Sequence, residues 1–325
     1  MQYRVRHNTR FRYSSPVSES VMKLRMCPPD QGTQRCLEFK ITLEPSVPLN
    51  TYLDHSENRI HLFDIPTYHR QLDILIESLV AIDPMPPLPE SLGMDGWAAV
   101  DEATRTEDFW EFLLPTPLTE PTPLLRTLAE ELGADRGQDP LSVLRRINTG
   151  IYHSFQYTPD STQVDSPIDH ALAQRQGVCQ DFTHIMLTLV RSLGIPCRYV
   201  SGYLFHRTGG ESQDRSAVDA MHAWVEAYLP PLGWVGFDPT NNMPARERHI
   251  RVAVGRDYVD VAPTRGVFKG KAESELSVAV QVYEANIVLP PEPLHKVMPF
   301  SPQAVAVMEA EWEALLHQQQ QQQQQ

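Results

Sequence analysis

The stretch A-M-H-A-W-V-E-A-Y-L-P-P-L-G-W-V-G-F-D-P-T-N, Ala220 to Asn241, decides how the second half of the chain folds. Strand-like patterns, Met221–Leu229 and Trp234–Asp238, flank Pro230-Pro231-Leu232-Gly233, which reads as the turn of an antiparallel hairpin. In a hairpin the start of the first strand and the end of the second lie at the same end, so His222 and Asp238 become neighbours. Alternation puts His222, Trp224, Glu226 and Tyr228 on one face, and Trp234, Gly236 and Asp238 also share a face. An imidazole beside a carboxylate is a base with an orienting partner.

Upstream, G-V-C-Q-D-F-T-H (Gly177–His184) sets a cysteine at the start of a helix expected over Cys179–Leu193. Phe182, Ile185, Met186, Leu189, Val190 and Leu193 share one face, and Gly194 stops it. A thiol is most easily ionised at a helix start, where unpaired N–H groups and the positive end of the dipole face it. The same N–H groups suit the oxygen of a tetrahedral intermediate. Alone, Cys179 would read as a packing thiol; with His222 and Asp238 it completes a nucleophile, base and orienter. A zinc site is disfavoured, because no tight C-x-x-C or H-x-x-x-H pair is present. His184 sits about 140° round the helix from Cys179 and reads as a hydrogen-bonding residue rather than the base. Asp181 reads as a first-turn structural carboxylate. Substrate or oxyanion contacts are expected from Tyr157, Gln180, Trp224 and Trp234, each with packing as the competing reading.

Residues 1–83 read as short strands. Tyr3, Val5, His7, Thr9, Phe11 and Tyr13 recur at every second position, with Arg4, Arg6, Arg10 and Arg12 opposite. Further runs at Leu37–Leu43, Arg59–Phe63 and Leu72–Ile82 suggest a small antiparallel sandwich. Met85-Pro86-Pro87-Leu88-Pro89 marks a boundary. Residues 84–135 then form a Pro-rich and helical connection, including a helix over Pro123–Leu132. Residues 136–283 form a second domain, with helices first and antiparallel strands afterwards. The fold class is therefore α+β, an N-terminal β-sandwich followed by a domain with a helical half and an antiparallel sheet. Residues 284–325 read as a tail with a short helical pattern at Gln303–Leu316 and a glutamine run.

The 325-residue chain is 41% hydrophobic and 21% charged, with a formal net charge of -13. That balance excludes nucleic acid as the expected main partner, since phosphate binding needs a cationic footprint. No run approaches a membrane span and the N-terminus lacks a signal-like apolar core, so the cytoplasm is the expected compartment. Four cysteines without a dense framework agree, and a Cys27–Cys36 disulfide is the lesser expectation. No cofactor and no metal are expected.

G-V-C-Q-D-F, G-I-P-C-R-Y-V-S-G-Y, H-A-W-V-E and G-W-V-G-F-D-P-T-N together resemble the core of the transglutaminase-like superfamily, the papain-related Cys-His-Asp group. The strand-rich N-terminus and V-G-R-D-Y-V-D-V-A-P-T-R-G-V (Val254–Val267) resemble its bacterial branch, which carries its own N-terminal domain. The resemblance implies Cys179 as nucleophile, His222 as base and then acid, and Asp238 as the orienting residue. It implies a cysteine-dependent acyl transfer through a thioester. Hydrolysis of a peptide, isopeptide or glutamine amide bond is the first expectation. A true transglutaminase comes second, and a binding scaffold with a vestigial triad is the reading from another class. A protein or peptide is the expected substrate, and the sandwich is a surface for a protein partner.

Overall fold

The computed structural model describes residues 1–105, 107–159, 161–207 and 214–285. The helical pattern at Gln303–Leu316 and the glutamine run lie outside the described residues. Among the described residues no helix is long and apolar enough to cross a membrane. The chain divides into two units.

One unit contains Gln2–Cys27, Cys36–Val80 and the chain from Pro263. Its strands include β1 (Gln2–Val17), β2 (Glu19–Leu24), β3 (Gln34–Glu44), β4 (Asn50–Leu53), β5 (Arg59–Ile65) and β6 (His69–Ile82). Burial alternates along β2 and β6, as a strand with one wet face requires. One four-stranded sheet runs Ser274–Glu284, β1, β6, β3; the other runs Thr264–Lys269, β2, β5, β4. Met22, Leu24, Phe63 and Ile65 of the second sheet meet Leu43, Leu72, Ile74 and Ile76 of the first in one core. Each such side chain contributes roughly 1.5–3 kcal/mol on burial. The expected sandwich is present, with different limits. The strands Thr264–Lys269 and Ser274–Glu284, read from sequence as part of the second domain, belong here. Ser274–Glu284 pairs antiparallel with β1 from Tyr3↔Glu284 to Tyr13↔Ser274. An alternating strand pattern shows a wet face but not which distant strand fills the edge.

The other unit contains Pro28–Arg35 and Ala81–Ala262. It holds α1 (Gly96–Ala103), α2 (Pro123–Leu132), α3 (Pro140–Ser154), β7 (Gln156–Tyr157), α4 (Ile168–Gln174), β8 (Gln176–Gly177) and α5 (Cys179–Ser192). Then come β9 (Cys197–Leu204), β10 (His222–Leu229), β11 (Gly233–Asp238), β12 (Met243–Ala245), β13 (His249–Gly255) and α6 (Tyr258–Val261). Thr122 and Asp139 cap α2 and α3 by accepting from the N–H groups of Leu125 and Ser142, with Pro123 and Pro140 just inside. Gly133, at φ 59°, ends α2 in the left-handed conformation that favours glycine.

The segment read as a connection, 84–135, is part of this unit's core. Trp97 and Val100 of α1 and Leu125 and Leu128 of α2 are buried with the apolar side chains of α3 and α5. Its Pro-rich piece is fastened by Arg145, which donates to the carbonyls of Pro89 and Glu90, and by Asp139, which accepts from Leu92 N–H. The sheet order is β12-β11-β10-β9-β13, all antiparallel. Ala223, Val225, Ala227 and Leu229 of β10 bury against Ile185, Met186, Leu189 and Val190 of α5. This packing seats the start of α5 and the hairpin in one unit.

Candidate active site

The hairpin register runs from Val225↔Phe237 to Leu229↔Gly233, and Gly233 turns at φ 75°. Asp238 therefore ends β11 beside the start of β10, where His222 stands. His222 Nε2 lies 2.7 Å from Asp238 Oδ2, and both side chains are buried. The other carboxylate oxygen accepts the N–H groups of Thr240 at 3.0 Å and Asn241 at 3.1 Å. This Asx-type turn is what the D-P-T-N sequence builds.

Two further groups reach Oδ2, and sequence reading singled out neither. Asn241 Nδ2 donates at 2.8 Å, and His249 Nε2 lies at 3.0 Å. Asn241 is itself held, its Oδ1 accepting from the N–H groups of Arg215 and Ser216. The D-P-T-N motif contained a signal for Asn241. His249, in R-E-R-H ahead of a strand, had none, because its partner lies eleven residues away on another strand.

His222, Asp238 and His249 offer three metal-type ligand atoms in one cluster. Their separations from Oδ2, 2.7 and 3.0 Å, are hydrogen-bond lengths. Ligands about 2.0–2.1 Å from a tetrahedral ion would stand roughly 3.3 Å apart. The donor set fits a hydrogen-bonded network.

The charges follow the contacts. Burial opposes ionisation of Asp238, but His222 and His249 outweigh it and hold the carboxyl far below the usual carboxylate range. Burial likewise works against a charged His222, yet Asp238 and then the Cys179 sulfur raise it to about 10. Its other nitrogen, Nδ1, is buried without a hydrogen-bond partner of its own. The imidazole thus has one nitrogen committed to the carboxylate and one available beside the cysteine.

Cys179 is the first residue of α5 and is half-buried. Its N-cap is Val178, which offers no side-chain acceptor to the first-turn N–H groups. Asp181 accepts from Val178 N–H at 2.8 Å and Thr162 hydroxyl at 2.6 Å, the first-turn structural role its position suggested. Gly177 leaves space for that carboxylate; a Cβ there would stand 2.8 Å from Asp181 Oδ2. His184 is buried in α5 and its Nε2 accepts from Tyr258 N–H at 3.3 Å, away from the triad. With Arg191, which donates to the Arg256 carbonyl, it fastens the Gly255–Tyr258 segment to α5.

The other expected contacts divide. Tyr157 pairs with Gly177 two residues before the cysteine, and burial followed by the Cys179 charge pushes its hydroxyl up to about 12. Gln180 does not line a cleft freely, because its Nε2 donates to the Val164 carbonyl at 2.8 Å. Trp224 is buried, its ring centroid 6.2 Å from His222 and 5.1 Å from His249. Trp234 lies under Arg198 at 4.2 Å and against Phe112 and Tyr228. Both tryptophans line a cavity of about 260 Å³ with Pro87, Arg246 and His249, and Cys179 is not among its described lining residues. Alternation along β10 and β11 puts both on the sheet face that His222 shares, so they line this cavity beside His249 rather than contact Cys179.

Comparison with known proteins gives the family and the fold. Residues 126–239 match the transglutaminase-like superfamily and residues 3–81 the bacterial transglutaminase-like N-terminal region. An uncharacterised protein of Mycobacterium leprae is 31% identical over 279 residues, 86% of this chain and 97% of that one. A protein-glutamine gamma-glutamyltransferase of Pseudomonas aeruginosa is 34% identical over 153 residues, 43% of this chain and 22% of that protein. The crystal structure of a candidate cysteine protease from Cytophaga hutchinsonii superposes with a TM-score of 0.69 at 21% identity, covering 90% of this chain and 93% of that one.

Proposed function

The chain belongs to the transglutaminase-like superfamily, and on that premise we propose that it is a cysteine-dependent acyl-transfer enzyme that hydrolyses amide bonds of a peptide or protein. One observation carries the proposal. A buried imidazole has one nitrogen on a carboxylate and its other nitrogen unpartnered, while the thiol of a helix's first residue acts on the same ring.

The Cys179 sulfur attacks the amide carbon, forming an S–C bond, and the oxygen takes the charge against first-turn N–H groups of α5. His222 gives its proton to the leaving nitrogen as the C–N bond breaks, leaving a thioester. The neutral imidazole then takes a proton from water, which attacks the thioester, and the proton passes to the departing sulfur. Asp238 keeps the ring oriented throughout without itself becoming protonated. Water needs no dedicated acceptor site, which favours hydrolysis as the first reading.

A second reading is transamidation, favoured by the similarity to the Pseudomonas protein named a protein-glutamine gamma-glutamyltransferase. A primary amine would then take the place of water at the same thioester. The cytoplasm, where thiols are kept reduced, suits either chemistry. A protein partner is proposed for the sandwich unit, whose edge strand Ser274–Glu284 exposes Leu276 and Val278.

Two measurements test this. Iodoacetamide at pH 6.5 should label Cys179 at least about 10-fold faster in the wild type than in His222→Ala. Equal rates would remove the enzyme reading. A quenched-fluorescent peptide library should be cleaved by the wild type and spared by Cys179→Ser. Incorporation of dansylcadaverine into a glutamine peptide, with no cleavage, would put transamidation first.

A further inference from the structure

His249 opens β13 and is buried, with its Nε2 3.0 Å from the same Asp238 oxygen that His222 approaches. Its Nδ1 accepts the N–H of Arg246 at 3.3 Å. That contact fixes the tautomer: with Nδ1 accepting, the proton resides on Nε2 and points at the carboxylate. Burial first, and then the charges of His222 and Arg248, hold the ring below the ordinary histidine range despite Asp238. His249 is therefore a neutral donor. It cannot take the proton that His222 must move, because its only bare nitrogen is committed to a backbone N–H.

The ring is fixed from the side as well. Trp224 meets it edge-on at 5.1 Å, with an interplanar angle of 74°. The Trp224 ring has room only because residue 202, paired with His222 across β9 and β10, is glycine. The Arg246 N–H on one nitrogen and Trp224 at the ring's side thus hold His249 with its Nε2 on Oδ2.

We propose that His249 is a positioning residue, whose Nε2–H holds Oδ2 of Asp238 and so limits how tightly that carboxylate binds the proton of His222. The inference rests on the acyl-transfer reading and deepens it. Asn241 and two backbone N–H groups already donate to this carboxylate, and the fewer donors it has, the more firmly its partner keeps the proton that must go to a leaving nitrogen. A neutral donor on the shared oxygen spreads the carboxylate charge and tempers that hold. The groups facing this pair are Cys179 from α5, Asn241 from the turn after β11, and His206, Arg248 and Asp214 from the flanking segments. None of these changes in the variants below.

The test is titration of the His222 ring by NMR in the full-length protein, with histidine labelled and the signal assigned through His222→Ala. In His249→Phe the donor is lost, and His222 should titrate about one pH unit higher than in the wild type. In His249→Gln an amide N–H can reach Oδ2, and His222 should stay near its wild-type value. If His249→Phe does not fold, His249→Asn, too short to reach, supplies the donor-free case. An unchanged His222 in the donor-free variant overturns the proposal, as does an equal shift in His249→Gln. Failure of the acyl-transfer reading shows separately, as wild-type Cys179 alkylation that is indifferent to His222→Ala.

Discussion

The Nε2 atom of His222 lies 2.7 Å from Oδ2 of Asp238, a carboxylate with no exposed surface. The pair makes stability depend on pH in a defined window. His222 is raised in the fold, so its contribution is complete below the unfolded value of 6.5 and is lost as pH rises toward about 10. Asp238 is lowered, so its contribution is present above the unfolded value of 3.8 and lost as pH falls below it. The stability gap between wild type and Asp238→Asn should be widest between these two values and should narrow from pH 7 to 9. Urea unfolding at pH 5, 7 and 9 measures it. A gap that widens with pH contradicts the assignment of charge.

Gly202→Ala tests how closely the sheet is built around the site. A Cβ at this position would stand 2.1 Å from the Ile250 carbonyl oxygen and 2.6 Å from the Trp224 ring. A backbone oxygen cannot swing aside as a flexible side chain does, so the variant should lose on the order of 3 kcal/mol. Chemical denaturation gives the number, and a loss under about 0.5 kcal/mol would mean that β9 and β13 separate easily.

The hairpin, α2, α5 and the members of the Cys-His-Asp set were legible because each is a local pattern: a proline turn, a helical stripe, a thiol at a helix start. What stayed hidden depends on distant partners. Nothing in E-L-S-V-A-V-Q-V-Y-E shows that Ser274–Glu284 returns to β1. His249 looks like any histidine ahead of a strand until β9 brings β13 to the side of β10. Trp224 and Trp234 lie on the strands their pattern predicts, and alternation already put them on the face of His222, but only the folded sheet shows that the cavity there is shared with His249.

Glu226 should be a strong stability determinant. It is buried in β10 and its two oxygens are shared between Arg198, at 2.9 and 2.7 Å, and Arg251. The two arginines outweigh burial and keep the carboxyl below its ordinary range, so it is charged at neutral pH. Glu226→Ala leaves Arg198 buried without its counter-charge, at a cost of about 3–5 kcal/mol. Thermal unfolding should begin roughly 10 °C lower. A shift within 2 °C, the error of about half a kcal/mol, would show that water replaces the carboxylate.

His184→Gln should make the protein less sensitive to acid. In the fold, burial and then Arg191 push the His184 ring down to about 3. The unfolded chain protonates the same ring near 6.5, so between those values the unfolded state binds the extra proton and stability falls as pH falls. The slope reaches about 1.4 kcal/mol per pH unit for this one group. Glutamine has no proton to gain, and its amide oxygen can still accept the Tyr258 N–H that His184 Nε2 accepts at 3.3 Å. Between pH 6 and 4 the variant should therefore lose less stability than the wild type, although it is no more stable at pH 8. Because the same contact fastens the Tyr258 segment to α5, acid should also loosen that segment in the wild type before global unfolding. Hydrogen exchange at the Tyr258 amide, faster at pH 4.5 relative to core amides in the wild type and not in His184→Gln, would establish this; parallel behaviour in both proteins would rule it out.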